Sequence, residues 1–235
     1  MMRNRSPRNR RDLRLVATAT GIALVALGLA LALPAAASLR LQHTVSLSDL
    51  ARIEAEIRTA LQDERSAVHT TETSYEMARV VVDAAGIELR LSQEAEAQAL
   101  LDLDTAQFEQ RAAAQSGSAT RVVAAGERLW RAEATEEQAR LRVLWAEQQL
   151  ALHEAEAIVA SIEIDRARAA LELARVTLLL EHDLEAGSVY ALADFQQQQA
   201  RIEGELAEQR ARTDRLQQQA DQARTRFDDR LVRVH

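Results

Sequence analysis

The stretch 122–178 admits very few folds. Read at steps of three and four, it resolves into two columns. Val122, Leu129, Glu136, Val143, Leu150, Ala157, Ile164, Leu171 and Leu178 make the first. Ala125, Ala132, Ala139, Ala146, His153, Ala160, Ala167 and Ala174 make the second. Large aliphatics dominate one core position and alanine nearly fills the other, over about eight heptads of coiled-coil spacing. Small side chains let two helix backbones approach closely, and the larger column fills the remaining gap.

The rest of the chain fits that reading. Apolar residues make up 47% of the 235 residues, yet aromatics are only 3%, with 7 Gly and 2 Pro, too few for a loop-rich β fold. An Ala-, Glu-, Leu-, Arg- and Gln-rich chain with heptads reads as long helices, and no segment alternates long enough for a sheet. The expected fold is all-α: two or three long antiparallel coiled-coil helices following an N-terminal signal or anchor helix. Three helices are expected, roughly 48–114, 119–184 and 189–233. Turns fall at Gln115-Ser116-Gly117-Ser118 and Glu185-Ala186-Gly187-Ser188. The heptad phase persists across Gly187, so one continuous helix there is the alternative.

In the first helix, Leu50, Ile53, Ile57, Ala60 and Leu61 mark one face, and Met77, Val80, Val81, Ala84, Ile87 and Leu91 resume it after a polar stretch. Gly86 is a candidate break. Ser46 or Ser48 is the expected cap at its start. In the last helix, Leu192, Phe195, Ile202, Leu206, Leu216, Ala220, Ala223, Phe227 and Val234 form the apolar face.

Residues 1–14 carry six Arg and one Asp, and residues 15–33 form an uncharged apolar run before Pro34 and three alanines. This reads as a signal peptide cleaved after Ala37 or as an uncleaved membrane anchor. Either way the basic end stays cytoplasmic and the body is exported. The divisions are 1–37 signal or anchor, 38–47 tether and 48–235 coiled-coil domain, and the expected place is the bacterial envelope, periplasmic, outer-membrane associated or anchored in the inner membrane. The chain's net charge is −7, so residues beyond the +5 N-terminus hold −12, which argues against nucleic acid as a partner.

Chemistry is sparse. With no Cys, thiolate metal sites and disulfides are excluded. His43, His69, His153, His182 and His235 show no paired helical spacing, so no metal site is expected. Asp102 with Asp104 sits at i,i+2, which points side chains apart, and Asp228 with Asp229 reads as solvated surface. No phosphate loop or nucleophile motif is present. The chain reads as a non-enzyme without cofactor, working through protein partners by coiled-coil packing or self-association, with membrane contact through 15–33 if that run is retained. Trp130 and Trp145 flank the central seam as packing bulk.

The segment LEAGSVYALADFQQQQA, residues 184–200, resembles a helical turn of the TolC-like outer-membrane efflux proteins. Gly187, Val189, Leu192, Phe195 and Gln198 fall in matching places, with Tyr190 for the usual Ser and Ala193 for the usual Asp. The first turn, GSATRVVAAGERLWRAEA, is similar to the hairpin tip of periplasmic adaptor (membrane-fusion) proteins, where Gly117 and Thr120 match. The resemblance implies a helical, tip-to-tip assembly element of an efflux or secretion system. Its candidate contacts are Gly117, Thr120, Gly187, Ser188 and Tyr190, the last expected at an exposed tip. The β-barrel strands of a channel and the lipoyl or barrel segments of an adaptor are missing. A structural envelope scaffold is the alternative reading.

Overall fold

The computed structural model describes residues 41–51, 59–182 and 189–234. The chain divides into two units, 1–42 and 43–235, and every helix described belongs to the second. Its elements are a short helix α1 (Leu47–Leu50), a 3-10 turn (Thr59–Leu61), and three long helices, α2 (Gln62–Gln115), α3 (Ala119–His182) and α4 (Leu192–Val234). The long helices hold 54, 64 and 43 residues, or about 80, 96 and 64 Å at 1.5 Å per residue. No strand occurs among the described residues.

The fold is all-α and antiparallel. Ion pairs cross from α2 to α3 at Glu109–Arg128 (3.3 Å), Glu88–Arg142 (2.6 Å) and Glu72–Arg168 (2.8 Å). Numbers fall along one helix as they rise along the other, so the two form a hairpin. Likewise α3 meets α4 at Glu163–Arg210 (2.6 Å) and Glu137–Arg230. The middle rod is α3; α2 and α4 both pack along it and scarcely meet each other.

Two seams on α3 explain this order. The first is the expected alanine column, with Ala125 and Ala146 at 1% and 3% exposure and its other members half-buried. What faces it on α2 is a second small column at steps of seven: Thr71, Ala78, Ala85, Ser92, Ala99, Ala106 and Ala113, the last four buried. The ion-pair register sets Ala113, Ala106, Ala99 and Ser92 level with Ala125, Ala132, Ala139 and Ala146. Small residues on both sides let the backbones close up, as they do wherever helices pack through Ala, Gly and Ser. Ser92 is tolerated because its hydroxyl donates to the Glu88 carbonyl at 2.9 Å.

The second seam of α3 receives α4. Leu152, Ala155, Ile162, Ala169, Val176 and Leu179 are buried there, against Phe195, Ile202, Leu206, Ala220 and Ala223. These are the α4 residues expected from its apolar period. Fully burying an Ile or Leu side chain is worth about 1.5–3 kcal/mol, and Val176, Leu179 and Ile202 are sealed from solvent. Trp145 stacks on Phe227 with centroids 5.9 Å apart, so this indole serves as packing bulk.

Several expectations are corrected. The first long helix does not run from Ser48: α1 is capped by Ser46, whose Oγ accepts from Ser48 N at 3.2 Å, and the long helix starts at Gln62. Leu50 and Leu61 are buried, whereas Ile53 and Ile57 lie outside the described residues, as does the Ala60 side chain. Gly86 breaks nothing, since α2 continues through it. The face Met77, Val80, Val81, Ala84, Ile87 and Leu91 points to solvent, and the small column takes its place against α3. Val122 is 41% exposed, because α3 has little covering it near its start. A continuous helix through Gly187 is excluded, since α3 ends at His182 and α4 returns antiparallel from Leu192.

Candidate functional site

The α2–α3 hairpin closes on a tight turn. Gly117 has φ 68°, the left-handed region that ends helices and that side chains with a Cβ resist. Around it Ser116 Oγ donates to the Ala113 carbonyl at 2.7 Å and accepts from Ser118 N at 3.3 Å. Thr120 sits in the first turn of α3 with its side chain exposed. Both tip residues on this side are therefore accessible.

Towards the tip the described residues of the third helix run out. Arg230 of α4 pairs with Glu137 of α3, and α4 ends one turn later. Among the described residues, nothing of α4 lies beside the first four turns or so of α3, roughly 20 Å of rod. That length carries Val123 at 63% and Trp130 at 59% exposure. Both continue the α4-facing column of α3 by steps of seven from Glu137. Trp130 is therefore not buried as packing bulk. Leu101 and Phe108, 61% and 71% exposed, stand on the outer side of α2 near the same end.

The second turn is built differently. Gly187 and Ser188 lie outside the described residues. Tyr190 is half-buried instead of exposed, because its hydroxyl donates to Asp49 Oδ2 at 2.5 Å and accepts from Ser46 N at 3.1 Å. Its ring meets Phe195 edge-on at 6.3 Å. The hydrogen bond to Asp49 raises the phenol above its ordinary pKa, since losing the proton would set two anions together. Residues 43–50 form a strap across the ends of α3 and α4. His43 N donates to Gln198 Oε1 (2.8 Å), Gln198 Nε2 returns to the His43 carbonyl (3.1 Å), and Val45 N donates to buried Glu172 (2.7 Å). Glu172 also pairs with Arg175 at 2.5 Å. Val45 and Leu50 fill the gap between Val176, Leu179 and Phe195. Sequence period could not reveal this strap, because its extended backbone is satisfied by side chains more than a hundred residues away.

Near the strap, an open groove of about 430 Å³ is lined by Leu61, Glu64, Leu173, Thr177, Glu181 and Gln199, among others. Elsewhere, His153 is half-buried in the seam with Nδ1 2.8 Å from Glu156. Burial raises the carboxyl of Glu147, helped by the negative charge of Glu96 across the α2–α3 interface, and burial alone raises Glu154. Among the described residues no group of three or more His, Asp or Glu is placed to hold a metal ion, and no helix is long and apolar enough to cross a membrane. The apolar run 15–33 is not among those residues. Comparison with protein families, curated proteins and solved structures finds no match to this chain.

Proposed function

We propose that the protein is an exported helical component of a bacterial-envelope efflux or secretion assembly, held in or beyond the inner membrane and docking through its α2–α3 tip. The observation that carries this reading is the exposed apolar surface of α3 towards the Gly117 turn, where Val123 and Trp130 are 63% and 59% exposed among the described residues. An exposed tryptophan towards the end of a rod matches the enrichment of Trp at protein contacts. The basic N-terminus with its apolar run supports export, and the adaptor-like pattern at Gly117 and Thr120 supports tip-to-tip assembly. The strapped end, with Tyr190 turned inward, is the structural end of the rod. In this reading the protein has no catalytic role and needs no cofactor.

The test is photocrosslinking in cells from Thr120 and Trp130, together with a deletion strain challenged with toxic compounds and metals. Tip adducts to a transport component, lost in Trp130→Ser, and a sensitised deletion strain support the proposal. Self-adducts alone with unchanged export would reassign the protein as an envelope scaffold.

A further inference from the structure

The outer face of α2 repeats the heptad a second time. Met77, Ala84, Leu91, Gln98 and Thr105 form one column; Val80, Ile87, Glu94, Leu101 and Phe108 form the other. Nothing among the described residues covers them: Met77, Val80, Ile87, Leu91, Leu101 and Phe108 are between 50% and 71% exposed. The strip is about 46 Å long and, at a helix width of about 10 Å, offers on the order of 450 Å². Singly exposed leucines need no explanation, but six large apolar residues on one strip, interrupted by Glu94, Gln98 and Thr105, make a patch of the size that is often a contact surface. Its three–four spacing specifies the contact as another helix.

Charge identifies that helix. Flanking the columns or within them, Asp83, Glu94, Asp102 and Asp104 are exposed carboxylates without an ion pair among the described residues, against one such guanidinium, Arg90. Glu88 and Glu109 are already engaged by Arg142 and Arg128 of α3. A second copy of the strip fits badly in either direction. Antiparallel stacking of the columns sets Asp83 against Asp104 of the other copy. Parallel stacking sets Asp83 against Glu88 and Asp104 against Glu109. Like charges at these flanking positions oppose pairing. Other described parts of a second copy expose only Val122, Val123 and Trp130 at the start of α3, with Leu47 and Val189, too few large apolar residues to match a strip of about four heptads. Within the chain, Glu72, Glu88 and Glu109 of α2 are each met by an arginine of α3; the outer face lacks that complement.

We propose that residues 77–108 of α2 form a docking face for an amphipathic helix of another protein, apolar at its core positions and Arg- or Lys-rich on its flanks. This face is separate from the hairpin tip and does not depend on the assembly in which the tip takes part.

The test uses the full chain and two synthetic helical peptides of about four heptads. Both carry Leu and Ile at the core positions; one has Lys and Arg flanks, the other Glu flanks. Fluorescence anisotropy is expected to show the basic peptide binding at least tenfold more tightly. Ile87→Glu with Leu91→Glu should lose that binding, and Asp83→Lys with Asp104→Lys should shift the preference towards the acidic peptide. Circular dichroism checks that these surface variants remain folded. Equal binding of both peptides, no binding, or binding unchanged by Ile87→Glu with Leu91→Glu would overturn the proposal. So would ready disulfide dimerisation of Leu91→Cys, which assigns the face to a second copy, or Ile87-dependent adsorption to anionic vesicles in place of peptide binding.

Discussion

Two side chains show how single residues set the fold's limits. Tyr190 ties the strap to the helical layer through Asp49 and Ser46. Tyr190→Phe removes both bonds and is expected to cost about 1–2 kcal/mol. Hydrogen exchange should show faster exchange at Val45 and Ser46, with the α2–α3 hairpin unchanged. Glu147 carries a strain of the opposite kind. Its carboxyl is raised by burial and by Glu96, so the folded state holds that proton more tightly than the unfolded one. The folded state is therefore penalised once pH exceeds the ordinary carboxylate value of 4.5, and the penalty is full above the raised folded value. Glu147→Gln should raise Tm at pH 7, and the difference should fade as pH falls below that ordinary value. A Tm lowered at pH 7 would contradict this. Neither role was readable in advance. Tyr190 is assigned by a partner 141 residues away and Glu147 by a charge on the neighbouring helix.

At the scale of the helix, size at the seam matters more than hydrophobicity. The apolar run Met77–Val80–Val81–Ile87–Leu91 is the strongest hydrophobic signal in α2, yet it faces water, while Ala99, Ala106 and Ala113 are buried. Alanine buries little area, so a reading weighted by hydrophobicity passes over it. The α3 column was legible because it holds its spacing for eight heptads; its partner column on α2 was hidden by a richer stripe alongside. The same holds for the capping of α1 by Ser46, visible as a Ser-Leu-Ser-Asp pattern, while the start of α2 at Gln62 has no side-chain cap to announce it. Ala106→Leu should therefore destabilise by about 1–3 kcal/mol through overpacking. Ile87→Ser, a larger change in hydrophobicity on the exposed face, should stay within about 0.5 kcal/mol. Urea unfolding of the two variants separates the outcomes, and the reverse order would contradict the assignment of faces.

At the scale of the described rod, α3 carries two seams and α2 a second one left open. Among the described residues the strap closes the end opposite the Gly117 turn. One end is thus fixed by the strap, while towards the other Val123 and Trp130 of α3 stay exposed among the described residues. The all-α antiparallel layout and the Gly117 turn were legible from period and turn chemistry. The strap was not, because it depends on which residues meet across the layer.

The fold depends on the alanine columns of α2 and α3 meeting in one register. The chain has no native cysteine, so engineered pairs report without background. On mild oxidation, Ala99→Cys should join Ala139→Cys within one chain, faster than it joins Ala132→Cys or Ala146→Cys in separate variants. An intramolecular disulfide with that preference is the predicted result; no disulfide, equal rates for all three partners, or only intermolecular products would contradict the hairpin described.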